Sequence, residues 1–495
     1  MQPNDLLSQR PATLGRAQLD EAIAFAGVRC PAPIRGNLVH ELNVDSDETL
    51  SPTYAGRSFS HDIPKYRLPA QGMSADAAYQ LVHDELNLDG NPSLNLASFV
   101  TTWMEPQADR LAQETLAKNL IDQDEYPQTE AVHQRVVSMI GRLFHAPAHE
   151  TPTGTATIGS SEAIMLAMLA HKRSWQRRRE SAGLPADRPN MVMGADVHTS
   201  WEKFARYFEV EARVVPMEQG RYTIAAAQVE PLLDERTIAV AGLLGTTFTG
   251  QMDDLESINE LLARTESERE LHIPLHIDAA SGGFIIPFSQ PDLRWDFRLS
   301  QVRSINVSNH KFGLVYPGMG TVVFRDSSDL PQELVFHINY LGGDMPNYSL
   351  NFSRPSSSVV LQYFNFLRLG YQGYAEIVSN VLANAQALAA KLQDIEGIEL
   401  INDASAFPIV VLRATEPQVT DLTELSHLLR ERGWIVPAYT LPPNAQSVSV
   451  LRMVVKENFS RDMVDMLSHD LRGALQALRK QTAVHPHRPR HRPHC

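Results

Sequence analysis

Short apolar, β-branched runs recur near residues 190–193, 212–215, 237–244, 273–277, 303–307 and 321–325. Helical stretches fall between several of them, notably Trp201 to Phe208 and Leu255 to Leu262. That alternation predicts an α/β chain built on a large, mostly parallel sheet covered by helices. In such sheets ligand groups collect in the crevice beyond the carboxyl ends of the strands. Two of these strand ends carry unusual chemistry. The run at 303–307 leads into Asn309-His310-Lys311, with Gly313, Pro317, Gly318 and Gly320 shaping an irregular loop beyond. The run at 273–277 leads into Asp278, followed by Ala279-Ala280-Ser281-Gly282-Gly283.

A lone loop lysine is ordinarily just solvated, but the lysine and the acid together describe a cofactor site. An amine forms a Schiff base with a carbonyl-bearing cofactor when burial or neighbours keep part of it unprotonated. A carboxylate facing a pyridine nitrogen keeps that nitrogen protonated, so the ring accepts electrons. The small residues after Asp278 let backbone approach a flat ring. Lys311 is therefore the candidate Schiff-base lysine for pyridoxal 5′-phosphate, and Asp278 the candidate pyridinium partner. A third stretch, Thr157-Ile158-Gly159-Ser160-Ser161-Glu162, precedes a strong helix-forming run. Backbone N–H groups and two hydroxyls then converge at a helix N-terminus, which suits a phosphate. On its own this pattern reads first as a helix cap, because serine is simply a good one.

The rest of the chain sets the frame. With 495 residues it can bury a large core and form two or three domains. A formal charge of −14, from 44 basic and 58 acidic residues, argues against a general nucleic-acid binder. Two cysteines, Cys30 and Cys495, make no disulfide framework and fit a reducing compartment. No targeting segment or membrane span stands out, so a cytoplasmic location is expected. No metal is expected.

Residues 1–95 read as an N-terminal arm with a helix near 17–27 and a second one capped by Ser74, striped by Ala78, Leu81, Val82 and Leu86. Residues 96–356 read as the large cofactor domain, beginning with an amphipathic helix at about 128–145. Residues 357–481 read as a smaller α/β domain: a linking helix to 394, strands at 407–413 and 448–455, and helices at 420–432 and 460–480. Residues 482–495 are a flexible His/Arg/Pro tail.

Taken together, these motifs resemble the bacterial and plant glutamate decarboxylases from about Arg67 to Gln481. The resemblance also rests on Asn95-Leu-Ala-Ser-Phe99, Ile121-Asp-Gln-Asp-Glu-Tyr-Pro-Gln128, Trp201-Glu-Lys-Phe-Ala-Arg-Tyr207, Tyr340-Leu-Gly-Gly343 and Asn351-Phe-Ser-Arg-Pro355. It implies the type I, aspartate-aminotransferase-like fold of pyridoxal phosphate enzymes. It also implies a homodimer at minimum, often a hexamer. By position, Ser160, Ser161 and His310 match phosphate contacts, and Ser353 matches one supplied by a neighbouring subunit. Thr247 matches a residue beside the ring. Ser98, Phe99, Asn119 and Asp122 match positions that receive the substrate, and Arg452 matches the arginine near its α-carboxylate.

Three positions depart from the family pattern. His198 stands where close relatives have glutamine stacked on the ring, and more distant decarboxylases have histidine there. Ser98 replaces threonine and keeps the hydroxyl. Asn309 replaces a glycine before His310-Lys311. The implied reaction converts L-glutamate to 4-aminobutyrate and CO₂, consuming a proton that Lys311 or His310 supplies. Alternatives are decarboxylation of aspartate or cysteine sulfinate, aminotransfer, and a non-catalytic binding relic.

Overall fold

The computed structural model describes residues 65–147, 152–339 and 345–484. They fall into two units, Met1–Leu88 and Asp89–Cys495. In the first lies α1 (Ala75–Leu86), whose N-cap Ser74 accepts a hydrogen bond from the Ala77 amide. Val82 and Leu86 of its apolar stripe are exposed, whereas Ala78 and Leu81 are half-buried. The helix expected near 17–27 lies outside the described residues.

The second unit holds a seven-stranded sheet. Its members are β1 (Thr153–Thr157), β2 (Asn190–Gly194), β3 (Glu211–Val215), β4 (Thr237–Leu243), β5 (Leu275–Asp278), β6 (Val302–Val307) and β7 (Gly320–Phe324). They lie in the order β1-β7-β6-β5-β4-β2-β3. β2 to β6 run parallel, whereas β7 runs antiparallel to both β1 and β6. Every residue of β2, β4 and β5 is buried, as expected where helices cover both faces of a parallel sheet. The sequence signals for these strands sit within two residues of their observed bounds. β1 gave no signal, because Thr-Gly-Thr-Ala-Thr is neither an apolar run nor an apolar–polar alternation.

Helices α2 (Pro106–Thr115), α3 (Pro127–Leu143), α4 (Gly159–Ser181), α5 (Thr199–Tyr207) and α6 (Leu255–Arg269) accompany this sheet. A hairpin of β8 (Phe336–Ile338) and β9 (Met345–Asn347) follows. Then comes α7 (Ser357–Gln393), which is two helices joined at Gly370, a non-helical residue at φ 59°. The remainder is an antiparallel sheet ordered β10-β11-β13-β12, from β10 (Ile398–Leu400), β11 (Ile409–Ala414), β12 (Ala438–Thr440) and β13 (Ser449–Val454). α8 (Leu422–Arg430) and α9 (Arg461–Val484) complete it. No helix among the described residues is long and apolar enough to cross a membrane.

One close approach couples this frame to the chemistry. The N-terminus of α4 lies against the first residue of β7, and Gly159 there has φ +71°, a left-handed conformation that glycine adopts without strain. A Cβ on Gly320 would meet the Gly159 carbonyl carbon at 2.5 Å and the Ser160 amide nitrogen at 2.8 Å. Both are backbone atoms, so relief requires moving the helix start. Gly320→Ala is expected to destabilise the fold by about 1–3 kcal/mol and to weaken cofactor retention together with it. Denaturant melts and cofactor titration check this, and a variant matching the wild type in both would show that the approach is not constraining.

Candidate active site

β5 ends in Asp278, and three N–H donors converge on its carboxylate. Oδ1 accepts from Asn306 Nδ2 at 2.9 Å and from the Ala280 amide at 3.1 Å, and Oδ2 accepts from Trp201 Nε1 at 2.9 Å. Asn306 is the residue opposite Asp278 in the β5–β6 register, and Trp201 is a fully buried residue of α5.

Beyond β6 the turn carrying Lys311 is pinned from several directions. The Thr101 amide donates to the His310 carbonyl at 2.9 Å, and the Thr101 hydroxyl donates to the Lys311 carbonyl at 2.7 Å. The buried Asn309 donates to Gln362 at 2.9 Å and accepts from Thr321 at 2.8 Å. The asparagine that departs from the family glycine is thus an anchor of this turn. Lys311 Nζ donates to Ser281 Oγ at 3.1 Å and sits 4.9 Å from the centre of the Phe99 ring. Removal from water pushes the Lys311 amine down to about 8; Asp278 opposes that shift and Arg452 adds to it.

Ser160 and Ser161 open α4. Ser160 Oγ lies 2.7 Å from Ser308 Oγ, and Ser161 Oγ 2.8 Å from Ser200 Oγ. The His310 imidazole stands beside Gly159, and its Nδ1 is buried without a hydrogen-bond partner. Burial, then the Lys311 charge, push His310 down to about 4. His198 is the N-cap of α5, where Nδ1 accepts from the Ser200 amide at 3.2 Å. Desolvation lowers its pKa and Asp278 opposes the shift.

Ser160, Ser161, His198, Thr247, Asp278, His310 and Lys311 line one cavity of about 250 Å³. Phe99 and Arg452 adjoin it through Lys311. The Arg452 guanidinium lies 5.1 Å from the Phe99 ring and donates to the carbonyls of Thr247 at 2.7 Å and Ala97 at 2.5 Å. Its Nε is buried and unpartnered. Ser98 Oγ accepts from the Val100 amide at 3.1 Å within a tight turn. Asn119, Asp122 and Ser353 form a separate group: Asn119 Nδ2 donates to Asp122 at 3.2 Å and to Ser353 at 3.4 Å. Neither that group nor Ser98 is part of the cavity lining.

Sequence reasoning missed Trp201 and Asn306 as holders of Asp278, and it missed Asp196. Asp196 also lines the cavity, both its carboxylate oxygens are buried without partners, and burial raises it to about 7. The available signal was its place just beyond β2, the same strand-end position that singled out Asp278.

A partly neutral amine, a carboxylate held by three donors, a helix N-terminus with two hydroxyls and an orphaned imidazole nitrogen face one cavity. That set fits a flat, phosphorylated pyridine aldehyde. Lys311 would hold its carbonyl carbon, Asp278 its ring nitrogen, and the α4 N-terminus with His310 its phosphate.

This fold and cavity define a pyridoxal phosphate-dependent decarboxylase, and the pyridoxal-dependent decarboxylase conserved domain matches residues 67–415. The chain is 50% identical over 432 residues to glutamate decarboxylase 5 of Arabidopsis thaliana, covering 87% of each. It is 42% identical over 451 residues to the glutamate decarboxylase of Aliivibrio fischeri, covering 90% of this chain and 97% of that one. The Lactobacillus brevis glutamate decarboxylase structure superposes with a TM-score of 0.84 at 42% identity, covering 87% of this chain and 99% of that one. The chain therefore belongs to the glutamate decarboxylase family, whose cofactor is pyridoxal 5′-phosphate. A Burkholderia pseudomallei sphingosine-1-phosphate lyase, at 19% identity and a TM-score of 0.71, shares the fold alone.

The neutral amine is the nucleophile, so attachment of pyridoxal phosphate to cofactor-free protein should accelerate as pH rises to about 8 and then level off. An unperturbed lysine would keep gaining until about 10.4. Stopped-flow absorbance across pH 6–11 distinguishes the two profiles, and a rise continuing past pH 9.5 would contradict a desolvated Lys311.

Proposed function

We propose that this protein decarboxylates L-glutamate to 4-aminobutyrate and CO₂, with Lys311 and Asp278 as the cofactor-holding pair. The observation that carries this reading is the convergence of Lys311, Asp278, Ser160, Ser161 and His310 on one cavity with Arg452 adjoining it. When bound, pyridoxal phosphate supplies a ring that accepts the electron pair released from the substrate's α-carbon. Asp278, held by Asn306, the Ala280 amide and Trp201, would face the ring nitrogen and keep its proton in place. Arg452 would take the α-carboxylate, and Ser98 the distal carboxylate together with Asp122 of a second copy. Gripping the substrate at both ends sets which bond breaks. His310, pushed down to about 4, is a poor proton store near neutrality. That favours Lys311 Nζ over His310 as the source of the proton consumed at Cα.

The placing of Asn119, Asp122 and Ser353 as one group outside the cavity lining fits a homodimer in which each copy completes the other's site, with assembly to a hexamer as the further expectation. Two cysteines in the chain support a reducing, cytoplasmic setting.

Two carboxylates meet only with a proton between them or with shared donors. KM for glutamate should therefore fall as pH falls. Ser98→Ala should raise KM about three- to tenfold, and Asp122→Asn, whose neutral amide both donates and accepts, should flatten that pH dependence, neither changing cofactor loading. The test of the whole reading is purified protein with glutamate, following CO₂ and 4-aminobutyrate, with aspartate and cysteine sulfinate as competing substrates. Equal molar yields of CO₂ and 4-aminobutyrate are expected. Preference for another acid, or an oxo-acid product, would overturn it.

A further inference from the structure

Asp278 is joined to a line of buried polar side chains that the reaction as described leaves unused. His276 Nε2 lies 2.7 Å from Asn306 Oδ1, His276 Nδ1 2.6 Å from Ser304 Oγ, and His171 Nε2 2.7 Å from the same Ser304 Oγ. The β5–β6 register makes the line. His276 is opposite Ser304 and Asp278 is opposite Asn306, so all four point to one face of the sheet, and His171 meets them from α4. His276, Ser304 and Asn306 have no exposed surface, and His171 is 4% exposed.

The direction of every hydrogen bond follows from Asp278. A carboxylate only accepts, so Asn306 must turn its amide N–H to Asp278 and its oxygen to His276. His276 Nε2 must then carry a proton. Burial pushes His276 down to about 4 and His171 well below its ordinary range, so both rings are neutral near pH 7. His276 Nδ1 is therefore an acceptor, and Ser304 donates to it. The Ser304 oxygen in turn accepts from His171 Nε2–H. Donors run one way: His171 to Ser304 to His276 to Asn306 to Asp278.

Mere packing gives no reason for such a line. The opposite face of the same two strands is filled by Leu275, Ile277, Ile305 and Val307, all fully buried. A buried polar group left unpaired costs about 1–3 kcal/mol, which makes a polar line a riskier filling than an apolar one. Hydrogen bonds aligned head to tail polarise one another, and here the accumulated polarisation falls on one carboxylate oxygen. The Trp201 indole, 5.4 Å from the His276 ring, holds the other oxygen. His171 also lines a second cleft of about 510 Å³ with Arg178, His272 and Arg303.

We propose that His171, Ser304, His276 and Asn306 are positioning residues, a directional hydrogen-bond relay that fixes the Asp278 carboxylate and orients it toward the cofactor ring nitrogen. This rests on the assignment of Asp278 to that nitrogen.

Ser304→Ala cuts the relay at its middle without touching Asp278. It should weaken pyridoxal phosphate binding to cofactor-free protein and lower kcat, each about fivefold, with KM for glutamate unchanged. Ser304→Thr, which keeps the hydroxyl, should restore both to within about twofold. In an Asp278→Asn background, Ser304→Ala should add no further loss, because the relay acts through that carboxylate. A folded Ser304→Ala with wild-type cofactor affinity and kcat overturns the relay. So does an equal loss with and without Asp278. Should Ser304→Ala fail to fold, His171→Gln, which keeps an N–H donor, compared with His171→Phe decides by the same criteria. Asp278→Asn alone reports on the underlying assignment: full cofactor affinity and turnover there would remove Asp278 from the ring nitrogen, an outcome distinct from additive losses.

Discussion

A lysine amine taken out of water is the interaction on which the rest of the site depends. Burial disfavours the ammonium form and brings Lys311 to about 8, so a usable fraction is neutral near physiological pH. Left to itself, desolvation would expel such a group towards solvent. Asp278 opposes the shift, Ser281 accepts from Nζ, and the Phe99 ring offers a cation–π face at 4.9 Å. The amine is held between being a cation and being a nucleophile.

That balance requires parts of the chain far apart in sequence to be fixed relative to one another. The segment Leu96–Thr101 does much of this. Leu96 donates to the Ile435 carbonyl at 3.0 Å and accepts from the Val454 amide at 2.9 Å, joining it to the antiparallel sheet. Five residues on, Thr101 bonds the carbonyls of His310 and Lys311. Phe99 lies between these anchors, with Lys311 on one contact and Arg452 on another. Lys456 Nζ, donating to the Val100 carbonyl at 3.2 Å, adds a further tie. Substrate-facing and cofactor-facing groups are thereby registered through one short stretch.

Much of this was legible in the sequence where a local pattern carries it. The central strands announce themselves as apolar runs because both their faces are covered, and Asp278 and Lys311 stand out as charges at the ends of such runs. Gly159-Ser160-Ser161 is legible because helix starts have their own chemistry. What the sequence hid is register. Trp201 and Asn306 meet Asp278 across 77 and 28 residues, and nothing local marks either as a donor to it. Read locally, Asn306 is one more strand residue and His276 one more buried histidine. Asn309 looked like a small departure from a glycine and proved to be an anchor bonded to Gln362 and Thr321, a tertiary fact without a sequence signature. Asn119, Asp122 and Ser353 came from the family resemblance, and a single chain gathers them without bringing them to the cavity lining.

The central claim is that Lys311, and no other amine, holds the cofactor. Borohydride reduction of the cofactor-loaded protein, followed by peptide mapping, measures this directly. Bleaching of the visible band and a single pyridoxyl adduct on Lys311 are expected. An adduct on another lysine, or release of unmodified cofactor after reduction and denaturation, would contradict it.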